Sequence, residues 1–314
     1  MPPNPSVGPR QDDSLTMDQS PVTWVPFATQ YTTTGGVQCK RSVKSALEAR
    51  KHTGTSGIWC SFRCVIIMIL SRIAKRSPSS RGEHVVAPNA QPRIVLASAS
   101  PRRRELLSSM GIAFEVVSSD IDEASVPGES PPGLARRLSL AKALAVARCL
   151  SNALVIAADT LVVIDGEMLG KPTDQSMAFE MLSRLRGREH RVYSGLALVD
   201  ARTGRRCTQV AMTPVMMRDY TEDEIRAYVD TGDPLDKAGA YAIQYPAFDP
   251  VAQIDGCYAN VMGLPMCHLY RALRHGGLEV PTHPLDCCPQ AMERGCPWAE
   301  GIIAEPPSAW CDAR

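Results

Sequence analysis

From Arg93 onward, short apolar runs alternate with segments that carry helix start and stop signals, and that alternation restricts the chain to few architectures. RIVLA (Arg93 to Ala97) reads as a strand, SASP as a loop, and Pro101 as the first residue of a helix that ends at Gly111. FEVVSS (Phe114 to Ser119) is a second strand. Pro131 opens a longer helix with Leu134, Leu138, Ala141 and Ala145 on one face. ALVIA (Ala153 to Ala157) and TLVVI (Thr160 to Ile164) read as two strands split by Asp159, followed by a tight turn at Asp165-Gly166. A helix over Gln175 to Leu185 precedes two strands, Arg191 to Val199 and Cys207 to Arg218, which flank a turn at Thr203-Gly204. Thr221 and Glu224 form a capping box for a helix to Asp230, and a last helix starts near Pro265. The pattern predicts an α/β domain with a mixed sheet.

The flanks differ in texture. Residues 1–92 are rich in Pro, Ser, Thr and Gly, lack periodicity and are expected to be a disordered leader. They hold eleven Lys or Arg against five Asp or Glu, so a chain of net charge +1 divides into a basic leader and an acidic remainder. The predicted domain spans 93–276, and 277–314 is a Pro- and Cys-rich tail without pattern. CVIIMIL (Cys64 to Leu70) is far shorter than the roughly 20 residues of a membrane span, so no membrane association is expected. The eleven cysteines match no standard zinc spacing, and no signal peptide opens the chain. Reduced thiols in a cytoplasmic protein are the expectation.

Five constellations carry chemistry. Ser98 to Arg104, SASPRRR, places hydroxyls and arginines at a helix start, where free N–H groups favour an anion. Positive charge there opposes the helix dipole, which favours a phosphate site over a merely solvated basic turn. DIDE (Asp120 to Glu123) clusters carboxylates that suit a divalent cation such as Mg²⁺, although acidic loops are common. Asp159 interrupts an apolar strand pair, and a carboxylate there is either structurally satisfied or functional. GKP (Gly170 to Pro172) presents Lys171 on a turn. DKAGAYAIQ (Asp236 to Gln244) and NVMGLP (Asn260 to Pro265) are glycine-punctuated, and the Gln244 amide could read a base edge. Taken alone, a lysine in a turn is usually just exposed, and physics alone favours ordinary loops for DKAGAYAIQ and NVMGLP.

In combination, LASASPRRRELL, DIDE, Lys142 within LSLAKALA, AADT, GKP, DKAGAYAIQ and NVMGLP closely resemble the Maf family of nucleotide pyrophosphatases, over about 180 residues from Arg93 to His275. The resemblance implies an elongated mixed β-sheet with flanking helices and a central cleft, similar to inosine triphosphatases. It implies hydrolysis of the α–β bond of nucleoside triphosphates with a divalent cation, Mg or Mn. The family's proton acceptor falls on Asp159 and its second key acid on Glu123, both of them candidate metal ligands. Its phosphate-holding residues fall on Ser98, Ser100, Arg102, Arg103, Lys142 and Lys171. Arg102, Thr160 and Gln244 match the branch that prefers dTTP and UTP, where modified pyrimidine nucleotides are also conceivable substrates. Tyr245-Pro246 departs from the glycine common after that glutamine. A 7-methyl-GTP or broad non-canonical pyrophosphatase and a nucleotide-binding regulator of cell division are the alternatives. The resemblance implies a nucleoside triphosphate as partner and a possible homodimer; no nucleic-acid partner is expected.

Overall fold

The computed structural model describes residues 92–306 and 310. The predicted leader, its CVIIMIL run included, lies outside the described residues. Seven strands form one sheet: β1 (Ile94–Leu96), β2 (Phe114–Val116), β3 (Leu154–Ile164), β4 (Glu167–Leu169), β5 (Glu189–Asp200), β6 (Arg206–Met217) and β7 (Val251–Ile254). Their order is β2-β1-β3-β5-β6-β7, with β4 paired to β3 beside that path. β1 runs parallel to β2 and β3, and all other pairings are antiparallel. The expected mixed α/β sheet is therefore present.

The helices among the described residues are α1 (Pro101–Ser109), α2 (Pro131–Ala147), α3 (Gln175–Leu185), α4 (Glu222–Asp230), α5 (Tyr258–Met262), α6 (Met266–His275), α7 (Pro284–Cys287), α8 (Pro289–Arg294) and α9 (Ala299–Ala304). Several starts follow the local chemistry. Pro occupies the first turn of α1 and α2, where its missing N–H costs nothing. The Asp174 side chain caps α3 by accepting from Met177 N–H. Both halves of the Thr221/Glu224 capping box form at α4. At the β3–β4 turn, Asp165 (φ 54°) and Gly166 (φ 80°) take the left-handed conformations that a two-residue hairpin needs.

Three apolar clusters hold the sheet. Val95, Ala97, Val155, Ala157, Ala197 and Val199 pack under α2 on one face. Leu96, Ile156, Ala158, Leu196 and Leu198 pack under α1 and α6 on the other. Leu182, Leu185, Val192, Val215, Tyr220 and Tyr228 join α3 and α4 to the far half of the sheet.

The structure corrects four expectations. The two strands around Asp159 are one continuous β3, because the carboxylate is paired within the protein and the backbone pairing to β5 passes through it, Asp159 opposite Gly195. β2 stops at Val116, and Asp120 to Glu123 lie in chain without regular secondary structure beyond it. The buried stripe of α2 is Leu134, Ala135, Leu138, Ser139, Lys142, Ala143, Val146 and Ala147, rotated from the predicted one at Ala141 and Ala145 because Lys142 turns inward to pair with Asp159. Beyond Gly276, where no pattern was visible, α7 to α9 pack on the core. Leu278, Val280, Cys288, Ile302 and Trp310 join the cluster beneath α6. Helices of four to six residues are too short to display a period.

Candidate active site

β1 ends at Leu96, level with Ile156, while β3 runs on for eight more residues. Where β1 turns away into α1, the edge of β3 is uncovered at Asp159 and Thr160. Open α/β sheets place ligands in such gaps beyond strand ends. Side chains alternate along β3, so Asp159 points with Val155 and Ala157 toward α2, and Thr160 points with Ile156 and Ala158 toward α1.

On the α2 side, Lys142 Nζ lies 2.5 Å from Asp159 Oδ1 and 2.7 Å from Glu123 Oε1. Lys142 and Asp159 are buried, whereas Glu123 is exposed. The lysine can reach because α2 lies unusually close to the sheet. A Cβ on Gly195 would stand 2.0 Å from the Ala135 carbonyl oxygen and 2.8 Å from Ser139 Oγ. Gly195 sits opposite Asp159, so this absent side chain sets the separation of helix and carboxylate. Of the DIDE carboxylates, Asp122 closes a local turn by accepting from Ala124 N–H, and Glu123 is the one that reaches Lys142.

On the α1 side, Arg103 is fastened at three points. Its Nε donates to the Gly263 carbonyl at 2.8 Å, Nη2 to Thr160 Oγ1 at 3.1 Å and Nη1 to Ser98 Oγ at 3.3 Å. Burial pulls the guanidinium below its ordinary pKa, and Asp159 pushes the other way. Ser98 Oγ also accepts from Ser100 N–H at 3.3 Å, which closes the turn before α1. The Ser100 side chain makes no capping bond. Arg102 is half-buried on the same turn.

The remaining motifs meet at one loop. Gly239 N–H donates to the Gly170 carbonyl at 3.0 Å, which stitches DKAG to the turn bearing Lys171. Gly239 (φ 70°) also lies against β3, since a Cβ there would stand 2.9 Å from a Val162 methyl. Lys237 is buried and pins the loop, donating to Asp236 Oδ1 at 2.6 Å and Asp233 Oδ1 at 2.9 Å. Burial raises the Asp236 pKa, but the bond to Lys237 and the charges of Lys237, Arg102 and Lys171 outweigh it and hold the carboxyl below its ordinary value. Arg102 and Lys171 are thus brought near Asp236. Gln244 is half-buried, and its Oε1 has no hydrogen-bond partner.

Asp159, Glu123 and Lys142 thus converge on one point, and Ser98, Arg103 and Thr160 on the neighbouring one. Ser100 and Arg102 flank the second group, and Lys171 lies on a turn tied through Gly170 to the DKAG loop. Gly195, Ser194, Asp236 and Lys237 were not foreseen as site residues. Asp236 and Lys237 stood inside a motif already singled out, whereas Ser194 and Gly195 gave no local signal. Among the described residues no group of three or more His, Cys, Asp or Glu side chains is gathered as a metal cage, the Cys-rich tail included. Cys257, Cys267, Cys287, Cys288 and Cys296 carry free thiols, while Cys149, exposed just past α2, is disulfide-bonded, so the expectation of reduced thiols fails there. No helix among the described residues is long and apolar enough to cross a membrane.

Known proteins are similar to this chain in sequence. The dTTP/UTP pyrophosphatase of Desulforamulus reducens is 48% identical over 187 residues, which are 60% of this chain and 98% of that protein. The dTTP/UTP pyrophosphatase of Geobacter metallireducens is 51% identical over 186 residues, 59% of this chain and 96% of its own. That of Syntrophus aciditrophicus is 48% identical over 185 residues, 59% and 90% respectively. A family model described as Maf-like protein matches residues 93–276, more than half of the sequence, and the chain belongs to the Maf family.

Proposed function

We propose that this protein is a nucleoside triphosphate pyrophosphatase that hydrolyses dTTP and UTP to the monophosphate and pyrophosphate. One observation carries the reading: Glu123, Lys142 and Asp159, from three separate segments, converge at 2.7 and 2.5 Å. Arg103 lies on the neighbouring side of β3, bonded to Thr160. Its relatives named as dTTP/UTP pyrophosphatases support the pyrimidine preference, and Arg102, Thr160 and Gln244 are the residues that the family resemblance implies for that branch.

Hydrolysis at phosphorus requires a positioned water, a base to take its proton and cations to neutralise the phosphate oxygens. Asp159 is the base. Lys142 occupies its Oδ1, which fixes the carboxylate and leaves Oδ2 to accept the proton of the attacking water. Lys142, Arg102, Arg103 and Lys171 hold the triphosphate, with Ser98 and Ser100 lining the turn beneath it. Gln244 Oε1, buried without a partner, is a free acceptor for a base N–H.

A divalent cation fits the same point. Glu123 and Asp159 are hard oxygen donors already gathered about a cationic group, and Mg²⁺ commonly takes one or two carboxylates with phosphate and water oxygens. Glu123 and Asp159 would hold Mg²⁺ or Mn²⁺, which when bound would neutralise charge on the phosphate oxygens. With no larger cage among the described residues, its other ligands would come from substrate and water.

The test is pyrophosphate release by the full-length protein with Mn²⁺ and a panel of dTTP, UTP, CTP, GTP and 7-methyl-GTP. Turnover fastest with dTTP and UTP is expected. Preference for 7-methyl-GTP would transfer the site to the alternative branch, and release from none would overturn the enzymatic reading.

A further inference from the structure

Thr160 and Ser194 face one another across β3 and β5, with hydroxyl oxygens 2.8 Å apart. Ser194 is fully buried and lies within 3.1 Å of the Asn260 carbonyl. A carbonyl only accepts, so the single Ser194 hydrogen goes to Asn260. At the other end a guanidinium only donates, so Thr160 Oγ1 accepts from Arg103 Nη2. The Thr160 hydrogen then has two acceptors within reach, Ser194 Oγ at 2.8 Å and the Gly263 carbonyl at 3.5 Å, and the shorter is much the stronger. Every donor is thereby assigned: Arg103 gives to Thr160, Thr160 to Ser194, and Ser194 to Asn260. The chain is anchored because Asn260 is itself fully buried, its Nδ2 donating to the Val192 carbonyl and Thr213 Oγ1.

We propose that Ser194 is a positioning residue for Arg103, acting through Thr160. The Thr160 hydrogen is directed inward, so its oxygen presents a lone pair to the guanidinium and fixes the plane in which Arg103 meets an anion. Without the Ser194 oxygen, Thr160 would turn its hydrogen toward another acceptor, and Arg103 would lose a defined partner. Threonine beside the proton-accepting aspartate therefore contributes to substrate handling through Arg103 rather than by donating to the nucleotide.

The inference rests on the pyrophosphatase reading in assigning Arg103 to the triphosphate. The test is steady-state pyrophosphate release from UTP by full-length wild type, Ser194→Ala, Thr160→Val, Arg103→Lys and the Ser194→Ala/Arg103→Lys double variant, assayed well below each melting temperature. Affinity for inorganic pyrophosphate, measured by calorimetry, serves variants too slow to assay. Ser194→Ala and Thr160→Val are each expected to lower kcat/KM about tenfold. In the Arg103→Lys background, where the planar guanidinium is gone, Ser194→Ala is expected to add no further loss. A purely structural serine would cost the same factor in both backgrounds. That result, or wild-type kcat/KM in Ser194→Ala, would overturn the proposal. Should Ser194→Ala fail to fold, Thr160→Val combined with Arg103→Lys completes the same cycle. A wild-type protein that releases no pyrophosphate removes the pyrophosphatase reading and this role together, whereas an active one indifferent to Ser194 removes only the role.

Discussion

Asp159 is a buried carboxylate whose charge is met by a buried ammonium, with an exposed glutamate on the far side of that ammonium. Removing one partner of a buried pair ordinarily destabilises a protein strongly. Here Asp159→Asn keeps the volume and a hydrogen-bonding oxygen for Lys142, and Glu123 still neutralises the lysine. The variant is expected to fold and bind nucleotide while losing about 10²–10⁴-fold in turnover, the usual cost of a missing general base. Near-normal pyrophosphate release would show that Asp159 is structural. The arginines at the start of α1 differ in the same way. Arg103 makes three side-chain bonds, Arg102 lies near Asp236 and Lys171, and Arg104 makes no side-chain hydrogen bond to any of the described residues. Arg102→Ala is therefore expected to lower kcat/KM by about 10- to 150-fold with little change in melting temperature. Arg103→Ala is expected to lower both, and Arg104→Ala to change neither. Equal small effects at all three positions would reduce them to a solvated basic turn.

At the scale of elements, the distance between α2 and the sheet governs the site. Lys142 reaches Asp159 because Gly195 leaves room for the Ala135 carbonyl. Gly195→Ala forces helix and strand apart, since a backbone oxygen cannot rotate out of the way. It is expected to cost at least about 3 kcal/mol, visible as a fall in melting temperature, and to lower turnover beyond what stability explains. A variant that melts and turns over like the wild type would mean that α2 tolerates a looser seat. The DKAGAY loop has a comparable role on the opposite side, holding the Lys171 turn through Gly170 while Lys237 secures its own base.

For the whole molecule, two features set conditions on stability. Burial lowers the His190 pKa to about 4, and His190 keeps one hydrogen bond, to the Tyr241 hydroxyl at 2.7 Å. Burial also lowers His268 to about 4, with the Arg271 charge adding to it. An unfolded histidine takes its proton near pH 6.5, so between pH 6.5 and 4 the unfolded chain binds more protons than the folded one. The stabilisation is complete above pH 6.5 and declines as the pH falls toward 4, on the order of 3 kcal/mol for His190. Urea unfolding across that range is expected to show this slope, and replacing His190 with Phe to flatten it. The second feature is the segment after Gly276. Trp310 donates to the Ala272 carbonyl, and buried Arg271 binds the Ile302 carbonyl and Glu305. Truncation at Gly276 is expected to yield a poorly soluble or strongly destabilised protein. A truncated chain that melts like the full one would return 277–314 to the status of an appendage.

The sequence by itself determined the order of the main elements from β1 to α6, though not β4, β7 or α5, together with the starts of the longer helices and the residue types of the site. Those features are local: a proline at a first turn, a capping box, Asp165-Gly166 at a hairpin and alternation along strands all act within a few residues. The motifs also contained Asp159, Glu123 and Lys142 before any geometry was known. Only the tertiary structure decided that β3 passes unbroken through Asp159, because the pairing that allows it comes from Lys142, seventeen residues earlier in the chain, and Gly195 on another strand. Only the structure showed that Arg103, Thr160, Ser194 and Asn260 form one chain of hydrogen bonds, since β5 and the segment after β7 are brought to Thr160 by sheet order. The docking of α7 to α9 was equally invisible, because such short helices acquire an inner face only once the surface beneath α6 exists for them to cover.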